Sequence, residues 1–557
     1  NVTNGEAASF PGIAPTMIYD AATGTTHSYI GAGTAPGAAT IELYTDQGHE
    51  TVPDLNILTQ LLPASPDVIV RMLADYGTLS FAEVSRDAIA RARTGFPVTE
   101  TMAKNLDFSL LERIGFSIIL RYNAKVYLKG EWWRPIHEKD RFTRPDLADT
   151  WEAMVEAERS ALESGATRIS ALRAVRDYFY EGPLADAIIA LHERRDGLFA
   201  PEDLASYAGG WEEPMVGSYN EYTFHTNQSW TQGITVLLAL QILEGIDLLA
   251  LGHNSPAYVH AVTQALELAY ADRDAYVGDP AYVDVPVETL LSERYAQTRR
   301  RAMEPMAFGG LPAPGVIPGH VPYIPPVNPA ESAENADARL AASTRAGTPG
   351  ISRGGMRSAF VDFAAGRDTS QLVVVDAAGN AVAITPSDFP KSPMVPGTGM
   401  TLGNRMVQFR LDPASPTALA PGKRPRVTPH AVIVTRDGEF FMAYNTPGGD
   451  MQPQALVQVF LNMEVFGMSL QEAVSAPRFR SRSVPSSFAP HESEPGVLWL
   501  EAPLHERTGI ELAAYGYETV RREKWDNEFG AVGAVRRRGE ELVAAADPRE
   551  ATWAAGR

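Results

Sequence analysis

Nine prolines fall between Pro305 and Pro349, and no other feature constrains the fold of this chain so strongly. Proline removes a backbone donor and fixes φ, so neither a helix interior nor a central strand can run through such a stretch. With an Ala/Ser/Glu/Asp-rich run at 330–337 inside it, the region from about 305 to 355 reads as a linker of loop or extended chain. On its N-terminal side helical periodicity dominates. A start at Ser65-Pro66 opens a helical run to Ala92, a polar helix covers Asp149 to Glu163, and Ser255-Pro256 supplies an N-cap and first position. In that last helix, running to about Val277, Tyr258, Val259, Val262, Leu266 and Ala269 line one face. A short strand at Thr16 to Tyr19 precedes these helices. After the linker the texture changes to hairpins. Gln371 to Val375 and Ala381 to Thr385 flank a turn at Ala378-Gly379-Asn380, and His430 to Thr435 and Phe440 to Tyr444 flank Asp437-Gly438. A helix through Leu456, Val459 and Phe460 follows, and Ser469 with Glu472 forms a capping box for another. Strands and helices in separated blocks predict an α+β fold.

Composition excludes several functions. The 557 residues carry 48 Lys+Arg against 68 Asp+Glu, a net charge of −20, which argues against nucleic acid and anionic membrane surfaces as partners. With no cysteine, disulfides, thiolate metal sites and cysteine nucleophiles are all excluded. The longest apolar run, Gly233 to Leu251, is interrupted by Gln241, Glu244, Gly245 and Asp247 and reads as a buried helix and turn rather than a membrane span. The chain reads as soluble; cytoplasm, periplasm and the extracellular space all remain open.

There is no phosphate loop, no GxSxG elbow and no HExxH among the eleven scattered histidines. Gly31-Ala32-Gly33-Thr34 lacks the helix a dinucleotide site needs. No metal and no cofactor is expected. Two features are left. Asp368-Thr369-Ser370 opens a strand, and Pro447-Gly448-Gly449 joins a strand end to a helix start. A threonine hydroxyl is a poor nucleophile without a base beside it, and its own α-amine can serve once the chain is cut before it. Paired glycine N–H groups at a helix start are natural donors to an oxyanion.

The stretch DTSQLVVVDAAGNAVAITPSD, followed in order by PGTGMTLGNRM, PGKRPRVTP, NTPGGDMQPQ, FGMSLQEAVSAPRF and AADPRE, resembles the small subunit of the γ-glutamyltranspeptidase family. Upstream, RTGFPV, LEGIDLLALGH and LELAYADRDAYVGDP resemble its large subunit. The resemblance implies a self-cleaving N-terminal-nucleophile hydrolase with a four-layer αββα sandwich. Residues 1–368 would form the large segment and 369–557 the small one, both within one fold. It implies cleavage between Asp368 and Thr369, Thr369 as nucleophile, Ser387 as its hydrogen-bonding hydroxyl, and Gly448 and Gly449 as the oxyanion hole. It also implies fragments that stay associated after the cut, and it admits a homodimer.

The departures bear on substrate. Where γ-glutamyl enzymes of the family carry an Arg for the glutamyl α-carboxylate, this chain has Gly31-Ala32-Gly33-Thr34-Ala35-Pro36. The family's Asn is Phe389, a usual His is Gln371, and the acidic residues that hold the α-amino group are Val407 and Gln408. A planar bidentate clamp is hard to replace. The expected activity is therefore hydrolysis of a small-molecule amide with a non-γ-glutamyl acyl group, with Phe389, Gln371 and Arg405 among the substrate-binding residues. One alternative is a true γ-glutamyltransferase or glutathione hydrolase whose clamp is Arg405 or Arg426. The other is an uncleaved, inactive relative acting as a binding protein.

Overall fold

In the computed structural model, residues 2–131, 133–329, 369–388 and 390–556 are described. Asp368, Phe389, Trp132 and the later part of the linker, from 330 onward, lie outside the described residues.

Two antiparallel sheets carry the fold. The first strands are β1 (Thr16–Asp20) and β2 (Thr25–Tyr29), and further strands are β3 (Trp211–Glu212), β4 (Met215–Tyr219) and β5 (Tyr222–Thr226). Beyond the linker come β6 (Leu372–Val375), β7 (Ala381–Ile384), β8 (Val432–Arg436), β9 (Glu439–Asn445), β10 (Gly533–Arg538) and β11 (Glu541–Ala545). One sheet runs β3-β2-β1-β7-β6 and the other β11-β10-β9-β8-β5-β4. Each sheet therefore pairs strands from both sides of residues 330–368: β1 with β7, and β5 with β8.

Both predicted hairpins are present. Asp437 and Gly438 both sit at positive φ, 53° and 80°, the conformation a two-residue hairpin turn requires. Side-chain alternation then sorts each strand's faces. Met17 and Tyr19 of β1, Ala381 and Ala383 of β7, Ile433 of β8 and Phe440 and Ala443 of β9 form one apolar cluster joining the two sheets. Val432 and Val434, on the opposite face of β8, pack instead with α2 (Ile234–Leu243), α3 (Pro256–Tyr276) and α4 (Gln452–Glu464). On the outer face of the five-stranded sheet, Val68 of α1 (Ser65–Asp75) meets Tyr29, with Ile384 packed alongside.

Two expectations need correcting. The helical run 65–92 is two helices, because the chain breaks at Tyr76-Gly77 and restarts at Phe81 behind a Ser80/Glu83 capping box. Helix α3 is not one-sided: every residue from Tyr258 to Tyr276 is buried, polar ones included. Its Glu267 is paired with Ser481 at 2.6 Å, and burial pushes its carboxyl up to about 7. The described part of the proline-rich stretch, up to Pro329, holds neither helix nor strand and is fastened to the fold, since Tyr276 donates to the Gly315 carbonyl and Pro329 bridges to Ser493. Among the described residues no helix is long and apolar enough to cross a membrane.

Candidate active site

The ends of β7 and β9 lie side by side. Asn445, the last residue of β9, donates from Nδ2 to the Ile384 carbonyl at 2.7 Å and to Thr385 Oγ1 at 3.0 Å. Beyond β7, Ser387 forms an antiparallel bridge with Thr369, and the Ser370 N–H donates to the Pro386 carbonyl at 2.8 Å. This places Thr369 Oγ1 2.8 Å from Ser387 Oγ, with both residues buried. From the other side Ile13 clasps Ser387, each N–H donating to the other's carbonyl. Gly12 makes that approach feasible, since a Cβ there would stand 2.4 Å from the Ser387 carbonyl oxygen.

Beyond β9 the chain turns through Gly448 at φ 120° and Gly449 at φ 57° before entering a helical turn and α4. Side chains are strained in this half of conformational space, so glycine is required at Gly448. At Gly449, φ 57°, a β-branched residue would perturb the backbone as well as crowd the pocket. Gln232 fixes the turn by donating from Nε2 to the Gly449 carbonyl at 2.8 Å and to that of Thr428 at 3.0 Å. Arg273 holds Gln232 Oε1 at 2.7 Å and Asp450 Oδ1 at 2.5 Å. Burial pushes the Asp450 carboxyl up, but Arg273 and the Ser487 N–H and hydroxyl reverse this and hold it below the usual range.

A chain of contacts closes the site. The Phe488 ring lies 3.5 Å from where a Gly449 Cβ would stand, and its centroid is 5.2 Å from the Arg405 guanidinium carbon. Arg405 donates from Nη2 to Ser387 Oγ and from Nε to Asp388 Oδ1, the latter at 2.6 Å. Thr369, Ser387, Arg405, Phe488 and the glycine turn thus belong to one locus. Gln371, just before β6, has its amide pressed against Gly533 so closely that a Cβ there would lie 1.8 Å from its Oε1.

Some expected substrate contacts are placed otherwise. Arg405 is fully buried, with its guanidinium meeting Asp388 and Ser387. Arg426 is buried and paired with Asp274 at 2.8 Å, and burial together with Arg273 lowers its pKa to about 10. Val407 and Gln408 are buried in a short 3-10 turn. The Gly31–Pro36 segment is sealed: a Cβ on Gly33 would be 1.7 Å from the Leu62 carbonyl oxygen, and Ala35 donates to the Lys423 carbonyl. Sequence reasoning missed Gln232, Arg273, Asp388 and Phe488. One signal was available, namely opposite charges in two matched segments, Asp388 beside the hydroxyl and Arg405 in the Asn-x-Met run.

A family model described as gamma-glutamyltranspeptidase matches residues 2–556. The chain is similar to the glutathione hydrolase-like YwrD proenzyme of Bacillus subtilis (strain 168), at 28% identity over 458 residues covering 81% of this chain and 72% of that one. It is likewise 28% identical to the Acylase ACY 1 proenzyme of Pseudomonas sp. (strain SE83) over 504 residues, covering 88% and 75% of the two chains. Among solved structures, a cephalosporin acylase from Bacillus halodurans superposes with a TM-score of 0.75 at 25% identity, covering 100% of this chain and 89% of that one.

Proposed function

This chain belongs to the γ-glutamyltranspeptidase family of hydrolytic enzymes, and from that premise we propose that it is a self-processing amide hydrolase with Thr369 as nucleophile and a less polar, non-γ-glutamyl acyl substrate. The fold reading that goes with it is the four-layer αββα sandwich, with segments 1–368 and 369–557 held in shared sheets. That both relatives are named proenzymes supports the self-cleavage between Asp368 and Thr369. In the first step Thr369 Oγ bonds to the substrate carbonyl carbon while its proton passes to the freed Thr369 α-amine. Gly448 and Gly449 N–H groups receive the negative charge on the carbonyl oxygen. The tetrahedral adduct collapses, the C–N bond breaks and the amine leaves with the proton held by the α-amine. Water then attacks the acyl ester and gives a proton to the same amine, the bond between the acyl carbon and Thr369 Oγ breaks, the amine returns that proton to Thr369 Oγ, and the acid is released.

One observation carries the substrate reading. The two arginines that could replace the missing carboxylate clamp, Arg405 and Arg426, are both buried and committed to aspartates. A zwitterionic head group would have to desolvate its carboxylate without either of them, which costs several kcal/mol. The experiment compares γ-glutamyl-p-nitroanilide with simple acyl p-nitroanilides on wild type and Thr369→Ala. Wild type should run as two fragments on a denaturing gel and favour the acyl anilides in kcat/KM by at least tenfold. Thr369→Ala should stay one chain and hydrolyse neither. Clear preference for the γ-glutamyl compound overturns the substrate reading, and two fragments from Thr369→Ala overturn self-cleavage.

A further inference from the structure

The surroundings of Arg405 assign it a task beyond the substrate contact expected of it. Its guanidinium is 0% exposed and roofed by the Phe488 ring. Nε meets Asp388 Oδ1 at 2.6 Å and Nη2 donates to Ser387 Oγ. Asp388 is itself held in place. Its Oδ2 accepts the Ile13 N–H at 2.9 Å, and its backbone sits at φ 140°, where L side chains rarely rest. Such a conformation persists only when its surroundings over-determine it. Gly12 and Gly403 both leave room for the carboxylate, since a Cβ on either would fall 2.6 Å or less from Asp388 Oδ2. A strained, clamped aspartate and a buried cation are more than a pair of hydroxyls needs to hydrogen-bond.

Hydrogen-bond accounting says what the clamp does. A serine hydroxyl has one hydrogen and two lone pairs, and a guanidinium can only donate. Arg405 therefore occupies a lone pair of Ser387 Oγ. A cation bonded there weakens that oxygen as an acceptor and strengthens its O–H as a donor. The 2.8 Å contact between Ser387 Oγ and Thr369 Oγ1 can run in either direction, and a cation on Ser387 Oγ favours Ser387 as its donor. Thr369 Oγ1 then keeps its own hydrogen for the α-amine, and the charge developing on it is met by the Ser387 O–H.

We propose that Arg405, clamped by Asp388, is a positioning residue that fixes Ser387 as the hydrogen-bond donor to the nucleophilic Thr369 hydroxyl. No proton leaves Arg405 or Ser387; the proton that moves is Thr369's own, to its α-amine. The proposal rests on the reading of Thr369 as nucleophile, and the test separates the two. The full chain is treated with phenylmethanesulfonyl fluoride, and sulfonylation of Thr369 is timed by peptide mass for wild type, R405Q, S387A and the double variant. For a variant that remains uncleaved, the rate of precursor loss on gels is read instead. R405Q should slow the reaction about 10- to 100-fold in the wild-type background and less than about twofold in the S387A background, because Arg405 acts through Ser387. A merely structural role would give the same factor in both. An R405Q rate within threefold of wild type, or an equal loss in both backgrounds, overturns the proposal while leaving Thr369 as nucleophile. Wild type unlabelled at Thr369 overturns the nucleophile reading itself. If R405Q does not fold, D388N, which loosens the clamp without emptying it, is read by the same criteria.

Discussion

At the scale of single residues, buried charge sets the chemistry and also a measurable cost. Glu6 lies in the N-terminal segment that packs against the site, where the Asp388 N–H donates to the Ala7 carbonyl. It is fully buried, and burial pushes its carboxyl up to about 7, only partly offset by Arg144. The sign follows from proton binding. Below about pH 4.5 the folded and unfolded chains both hold this proton and the group is neutral to stability. As pH rises from there through about 7 the unfolded chain releases it first, so stability falls. Glu6→Gln keeps the shape and removes the ionisation. It should raise the unfolding free energy at pH 8 by on the order of 3 kcal/mol and leave it nearly unchanged at pH 4. Urea titrations at the two pH values decide this, and equal effects at both would show that Glu6 is not the titrating group.

Elements matter here through their ends. The site is built where β7 and β9 stop, with the N-terminal segment crossing both Thr369's partner and Asp388. Gly12 is the point of closest approach, its missing Cβ 2.4 Å from the Ser387 carbonyl. Gly12→Ala should push Ser387 away from Thr369, costing about 1–3 kcal/mol of stability and slowing self-cleavage by at least tenfold. Timed gels of the purified variant with a thermal melt test this, and wild-type cleavage in a folded Gly12→Ala protein counts against it. The hairpins, the Ser469/Glu472 capping box and helix α4 were legible because turn chemistry and periodicity are local. The break at Gly77 was not, because the apolar pattern continues across it; nor was the full burial of α3, because apolar periodicity reports one face and not what packs on the others.

For the whole molecule, the sheets straddle the proposed cleavage point. With β1 paired to β7 and β5 to β8, neither segment owns a complete sheet. A cut at 368/369 removes one covalent bond and no strand pairing among the described residues. The processed fragments should therefore co-elute in gel filtration and separate only in denaturant. Separate elution in plain buffer would refute the shared-sheet account.

The sequence by itself determined the α+β texture, both hairpins and the glycine turn at Gly448-Gly449, since each is written within a few neighbouring residues. It also gave the family, through many short motifs in order. Only the tertiary structure decided which groups meet. Arg405 is 17 residues from Asp388, and Gln232 is 217 from Gly449. Pattern and propensity report the local chain, while a buried cation's role is set by the carboxylate that folding brings beside it. That is why Arg405 reads as a substrate ligand in the sequence and as support for Ser387 in the fold.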